Sequence, residues 1–413
     1  MKRFVHIGIA VIFVLLITDA AQAIPAFARK YNMSCMTCHN PIPRLKAYGD
    51  SFAGNGFQLE DRKAPRYTVE TGDNLLSLIR NFPLAVRLDG YASIEHHKNK
   101  ENETTTDFRT PFLLKLLSGG SLSEHLAYYF YFYMDERGEV AGVEDAYLMY
   151  NNLFNIDLDI YLGQFQVSDP LFKRELRLTL EDYHIYTVSP GISNINLKYD
   201  KGVMVTLGTN FGTTIVGEVL NGNGIGEANE NWQFDNDKYK NLMGRVSQDV
   251  SDFLRIGAFT YYGNEAIHFQ DLYIDSEKIA TYDGKNEAVL WGPDMSIALN
   301  DKFEFNLQYL QRTDSRVIDM DPKGEYQLYK DVKTQGGFGE IIFTPKGDKS
   351  RWYLVGLYNW TDSDLDDLDF QSASIQAGYL LRRNVRLVSE YSYNFSHENR
   401  EWWRGSLGFV AAF

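Results

Sequence analysis

From Phe82 the chain alternates. Leu84, Val86, Leu88, Gly90, Ala92 and Ile94 take one side, and Ala85, Arg87, Asp89, Tyr91 and Ser93 take the other. A period of two over this length predicts a strand with one more polar face. The pattern returns near 107–118, 123–135, 140–151, 156–166, 191–200, 202–211, 236–249, 252–263, 287–299, 302–313, 334–344, 350–361, 369–381, 384–395 and 403–413, which makes sixteen candidates. Most exceed the usual five or six residues of soluble strands and approach the length that crosses a bilayer obliquely. Short connections at 119–121, 151–152, 200–202, 300–302, 345–348 and 381–383 largely alternate with long ones near 98–106, 166–190, 212–235, 264–286, 314–333, 362–368 and 396–402. A closed transmembrane barrel requires that rhythm; a soluble sandwich does not.

The last stretch carries the same signal. Trp403, Gly405, Leu407, Phe409, Ala411 and Phe413 form an apolar face, and Arg404, Ser406 and Gly408 oppose it. A terminal Phe after such a strand resembles the insertion signal of outer-membrane proteins. The expected fold is an all-β transmembrane barrel of about 16 antiparallel strands over 81–413, in contact with outer-membrane lipid. Lys2-Arg3, the apolar run Ile7–Ile17 and Ala21-Gln22-Ala23 read as a secretory signal over 1–23, cleaved before Ile24. No later run offers about 20 consecutive apolar residues for a spanning helix. The formal charge of -14 argues against a nucleic-acid partner and is compatible with attracting cations.

One stretch is unlike the rest. Cys35-Met36-Thr37-Cys38-His39 has the spacing that fixes a c-type haem: two thiols for the vinyl groups and a histidine for the iron. The chain has no other cysteine. A redox dithiol or half of a zinc site would use the same pair. The first has no need of His39, and the second would need ligands that no further cysteine pair supplies. Residues 24–80 therefore read as a small monohaem module, too short for an ordinary core of its own, which the barrel lumen could hold as a plug. Within it, Phe27 and Tyr31 are candidates to pack on the porphyrin, and Arg29 or Lys30 to pair with a propionate. His39 is the proximal ligand. For the sixth position the sequence offers Met33, Met36, His125, His184, His268, Met134 and Met204 without choosing among them.

The run "IPAFARKYNMSCMTCHNPIPRLKAYGDSFAGNGFQL", residues 24–59, resembles the haem segment of the outer-membrane cytochrome-porin fusions of iron-oxidising bacteria. The resemblance rests on Pro25, Phe27-Ala28-Arg29, the Cys35-to-His39 motif, Pro43, Tyr48-Gly49 and the Gly54-to-Phe57 region. It implies a c-type cytochrome in the outer membrane that takes electrons from extracellular ferrous iron and passes them to a periplasmic cytochrome or similar carrier, in effect a ferrous iron oxidase. Other readings are a haem-bearing passive diffusion porin and electron export to an external acceptor. The acidic loop 362–369 is the candidate for attracting ferrous iron, although such a run is usually only solvated. His96-His97, at the start of an expected loop, is a candidate of the same kind, and Gly222-Asn223-Gly224-Ile225-Gly226 reads as a flexible loop.

Overall fold

A computed structural model describes residues 26–59 and 82–413, apart from 99–102, 141, 236, 275–276, 322 and 397–399; of residues 60–81 it describes 72, 73, 75, 76 and 79. The expected signal segment 1–23 lies outside the described residues. The chain forms a single closed barrel of sixteen strands, each antiparallel to its neighbours in sequence, with the last closing on the first. The strands are β1 Leu84–His97, β2 Glu103–Ser121, β3 Leu126–Glu136, β4 Gly142–Tyr150, β5 Leu158–Gln166, β6 Tyr199–Gly208, β7 Thr213–Leu220 and β8 Asn241–Ser251. They continue with β9 Leu254–Ile274, β10 Glu277–Leu299, β11 Phe303–Met320, β12 Tyr326–Phe343, β13 Trp352–Ser363, β14 Phe370–Arg382, β15 Val385–Asn394 and β16 Trp402–Ala412. Closure pairs Arg87 with Ala412 and runs to His97 opposite Trp402, so no strand edge is left to face lipid. Among the described residues no helix is long and apolar enough to cross a membrane.

The alternation sorts by face as expected of a barrel wall. Leu148, Leu162, Ile215, Val219, Leu242, Val246, Leu307, Ile375, Leu387 and Leu407 are exposed on the outside, where hydrocarbon is the solvent that suits them. In β16, Leu407 points out while Ser406 and Val410 are buried inside. The polar part of the inner face is tied together by ion pairs. Arg245 pairs with Asp294 at 2.5 Å, and Arg312 with Asp314 at 2.6 Å. Both pairs sit almost entirely out of solvent, where losing one partner would strand a charge.

The expected and observed strand sets agree in number but differ in one member. The segment 191–200, expected as a strand, is not one. Strand β7, whose residues fell in an expected loop over 212–235, takes its place. In β7, Ile215, Gly217 and Val219 face out, and Val216, Glu218 and Leu220 face in. A glycine and a glutamate interrupt the apolar signal, but the period of two is intact. Likewise, the expected loops 264–286 and 314–333 largely belong to strands that continue past the span, since β9 has 21 residues and β10 has 23 against the roughly 9–11 a bilayer needs.

Residues 167–198 fold inward instead of forming an external loop. Phe172, Tyr183, Ile185, Tyr186, Val188, Ile195 and Leu197 are buried against wall residues from Met204 on β6 to Leu357 on β13. So many large apolar side chains would be costly in water and are satisfied by the half of the inner wall that is itself apolar. The segment is also anchored by polar contacts. Tyr183 donates to Glu340 at 3.1 Å, Tyr186 to Gln308 at 2.8 Å, and Arg312 to the carbonyl of Val188 at 3.2 Å and to Ser193 Oγ at 3.1 Å.

The expected separate N-terminal module is not seen as a unit of its own. Residues 26–58 pack on the inner wall. Two short helices, α1 Ala26–Tyr31 and α2 Ala47–Gly54, bring Phe27, Phe52 and Phe57 together, and Phe57 stacks on Tyr129 of β3 at 5.6 Å. Arg44 pairs with Glu304 of β11, Asn152 donates to Asn55 at 2.8 Å, and Gln58 donates to the Glu124 carbonyl at 3.0 Å. Phe52 is buried, whereas Tyr48 is exposed.

Candidate functional site

The Cys35-to-His39 motif is a tight turn. A single 3-10 turn covers Cys35–Thr37, with Ser34 Oγ accepting from the Met36 amide at 3.3 Å. The amide of His39 then donates to the Cys35 carbonyl at 3.0 Å. This keeps Cys35, Cys38 and His39 on one compact loop, and α2 clamps it from behind. A side chain at Gly49 would place its Cβ 2.4 Å from the Cys38 carbonyl. Only glycine permits that approach. Gly49→Val will therefore lift α2 from the motif and cost about 1–3 kcal/mol of overpacking, read as lower retention of the folded form in a heat-modifiability gel assay.

The His39 ring is held by two backbone carbonyls. Its Nδ1 lies 2.8 Å from the Pro43 carbonyl and 3.3 Å from that of Arg44. Both partners can only accept, so Nδ1 carries the proton and Nε2 keeps its lone pair. Burial pushes the pKa of His39 down, against those two hydrogen bonds, which favours the neutral ring that a metal requires. Burial also pushes both cysteine thiols up, opposite to what a reactive dithiol needs.

Cys35, Cys38 and His39 line an inner chamber of about 320 Å³, at the end of the barrel where the short turns lie. Phe27, Met33, Ile42, Leu45, Phe52 and Phe57 form its apolar side. Opposite stand Arg87, Lys115, Arg386 and, from the inward segment, Lys173 and Asp169. Arg386 donates to the Ile42 carbonyl at 2.5 Å and to Tyr353 at 2.9 Å. Its Nε is buried and has no hydrogen-bond partner in the protein.

Two further cavities adjoin the chamber. Arg87, Glu175 and Arg386 also line a neck of about 40 Å³, together with Asp89, Tyr91 and Tyr133. The neck shares Tyr91, Phe112, Arg137, Glu175 and Arg177 with a vestibule of about 1080 Å³ near the long loops. Basic and acidic groups interleave throughout. Glu175 accepts from Lys115 at 3.0 Å and from Tyr133 at 2.7 Å, and Arg404 pairs with Glu181. Burial alone would raise the Glu175 carboxyl, but Lys115 and Arg177 outweigh it and hold it well below the usual range. Burial likewise acts against Asp182, which Arg177 and Arg174 bring down to about 2. In Asp169 burial prevails over Lys173, and the carboxyl is pushed up to about 6.

The other sequence candidates scatter. Met33 lines the chamber, whereas Met36 lines a separate small pocket beside Asn40 and Trp352. His125 bonds the Asn151 carbonyl at 3.0 Å, His184 stacks on Phe370 at 3.9 Å, His268 pairs with Asp283 at 2.6 Å, and Met134 is exposed. Met204 is buried on the inner wall. Arg29 donates to the Leu84 carbonyl and Tyr31 to that of Phe57. His96 bonds Thr104 at 2.8 Å, and His97 pairs with Glu95 at 2.8 Å. In the acidic loop, Asp364 accepts from the Lys333 amide at 2.8 Å and Asp369 from the Ser363 amide at 2.9 Å. The basic residues of the chamber were missed because β1, β2 and β15 bring them together only on closure.

A closed sixteen-strand wall with an apolar exterior, an inward-folded segment and a partly polar interior defines an outer-membrane β-barrel of the porin fold. The solved structures it is similar to are of that kind. A loop L8 deletion mutant of OmpT from Vibrio cholerae matches at TM-score 0.54 and 9% identity, over 81% of this chain and 99% of that one. The anion-selective porin from Comamonas acidovorans matches at 0.53 and 11%, over 81% and 99%. The channel DcaP of Acinetobacter baumannii matches at 0.53 and 14%, over 81% and 97%. No family model matches the chain. No curated protein matches it either.

These findings correct the first reading. The expected membership of the cytochrome-porin fusions gives way to a likeness to outer-membrane porins that spans nearly the whole of each. Electron transfer from ferrous iron and the associated oxidase activity fall with it. Among the described residues no group of three or more His, Cys, Asp or Glu is placed to hold a metal ion. In loop 362–369, Asp362 accepts from the Gln335 side chain, and Asp364 and Asp369 accept from backbone amides.

Proposed function

We propose that this chain is a passive diffusion porin of the outer membrane for small charged solutes, carrying a c-type haem on its N-terminal segment. The observation that supports diffusion is the succession of vestibule, neck and chamber along the lumen, each sharing lining residues with the next. A neck of about 40 Å³ has room for only a few waters, each needing about 10–15 Å³ of such space. Transit therefore depends on the Arg87 and Arg386 side chains swinging aside. Interleaved charges serve such transit: each desolvated group along the way finds an opposite partner, so no single ion is trapped.

The cofactor is proposed from the fit of the chain's own residues. Cys35 and Cys38 would hold it covalently, His39 Nε2 would face the iron, and the aromatic side of the chamber would cover the ring. Arg386, with its unpartnered Nε, and Lys115 would meet its carboxylates. The group itself supplies a planar apolar body and an iron centre. The haem-bearing part of the chain would then lie within residues 24–80, of which the described residues 26–59 sit in the lumen beside the passage.

Ion selectivity tests the diffusion reading. Above about pH 6 Asp169 is ionised, and below it Asp169 is neutral. The chamber is thus more positive in acid, and preference for chloride over potassium will fall as pH rises from 5 to 7. The measurement is the reversal potential of the reconstituted protein across a potassium chloride gradient. Asp169→Asn will flatten the change. A protein that passes no ions at either pH is no diffusion porin.

A further inference from the structure

The inner wall holds a second chemistry-bearing group that the passage does not use. Glu218 of β7 is 2% exposed, and neither of its carboxylate oxygens has a hydrogen-bond partner in the protein. The charged groups that act on it are Asp169 and Asp200, both of the same sign. Its strand neighbours Val216 and Leu220 are apolar and buried. An ionised carboxylate so placed is costly unless a cation accompanies it.

What flanks it decides which cation. In the strand register Met204 of β6 lies directly opposite Glu218, and so does Met243 of β8. Both methionines are buried on the same inner face, at 7% and 3% exposure. Directly paired residues carry their Cβ atoms about 5 Å apart, and strands two places apart are separated by about 10 Å. Two methionine side chains can close that gap from either side of one carboxylate. We propose that Met204, Glu218 and Met243 form a site for a soft monovalent cation, Cu(I) by chemical class. Thioethers select such an ion, and the carboxylate neutralises it. Calcium or magnesium would need more oxygen ligands than one glutamate offers, and zinc would look for imidazole or thiolate. The site is distinct from the haem motif: Met204 and Met243 belong to the wall beneath the inward segment, and neither lines the chamber.

The test uses silver(I), a redox-inert probe of the same class, on the full-length chain in detergent with Cys35→Ser and Cys38→Ser, so that no thiol competes. One equivalent should be retained after gel filtration. Replacing even residues that only support metal ligands commonly costs about 10–100-fold in affinity, so Met204→Leu and Met243→Leu should each weaken binding by at least that. Glu218→Gln should weaken it too, and Met134→Leu, on the exposed surface, should not. Leucine conserves methionine's volume, and heat-modifiability verifies the fold of each variant. X-ray absorption of the Cu(I)-loaded chain should show two sulfur neighbours and one light atom. Absence of a retained equivalent, or binding that Met204→Leu and Met243→Leu leave unchanged, overturns the proposal.

Discussion

Replacing Arg312 with leucine will free the inward segment and raise single-channel conductance several-fold, with added current noise. Arg312 is the post to which that segment is tied. Its guanidinium donates to the carbonyls of Val188 and Ile195, to Ser193 Oγ and to both oxygens of Asp314. Gly191 sits within the tethered turn at φ +52, where a Cβ would lie 2.1 Å from the Ile318 carbonyl, so the turn is pressed flat on β11. Removing the arginine takes away the tether and leaves Asp314 buried with only Asn286 as a side-chain donor. Breaking a buried pair in this way costs about 3–5 kcal/mol. Replacing both partners with leucine strands no charge, so the Arg312→Leu/Asp314→Leu double variant will recover most of that stability yet keep the raised conductance. If the single and double variants conduct as the parent does, residues 188–195 do not limit the passage.

The second large effect concerns the cysteines. Produced with a c-haem maturation system, the chain will carry one covalent haem, detected as a mass increase that survives denaturation. The Cys35→Ala/Cys38→Ala variant will carry none. Because the chamber beside the motif is also part of the passage, a haem lodged there narrows it, and the variant will conduct more than the loaded parent. His39→Ala separates attachment from ligation: covalent haem will form in lower yield, and its visible spectrum will change as the imidazole is lost. A matured chain whose mass shows no covalent haem would refute the cofactor assignment while leaving the porin reading in place.

How much of this was legible beforehand follows from which contacts are local. Strands declare themselves because lipid and lumen impose opposite demands on successive residues. Leu407 and Ser406 obey that rule, and so do the tyrosines of β3, where Tyr129 and Tyr131 line the chamber while the outer side carries Tyr128, Phe130 and Phe132. Strand β7 escaped because Gly217 and Glu218 dilute its apolar signal, and Glu218 is now the most informative residue on it. The opposite error befell 191–200. Ile195 and Leu197 alternate as strand residues do, but they serve to bury the inward segment against β6–β13. A period of two reports a buried face without saying what it is buried against.

The candidate site divides along the same line. Cys35, Cys38 and His39 lie within five residues and could be read directly. The chamber that receives them could not. Arg87, Lys115 and Arg386 come from β1, β2 and β15, which meet only because β16 closes on β1. The basic side chains next to the motif in sequence, Arg29 and Lys30, were the natural guesses for an anionic partner, but neither lines the chamber. Resemblance over residues 24–59 pointed to one family, whereas the fold over four-fifths of the chain is that of porins at large. Local sequence identified a motif, and long-range closure decided its surroundings.

The most direct test of the central claim is single-channel recording of the purified full-length protein in a planar lipid bilayer, with haem content measured on the same sample. A diffusion porin will give discrete steps of current proportional to salt concentration, larger in the Cys35→Ala/Cys38→Ala variant than in the haem-loaded chain. A folded barrel that inserts yet stays electrically silent, with or without haem and after release of the Arg312 tether, would contradict the account.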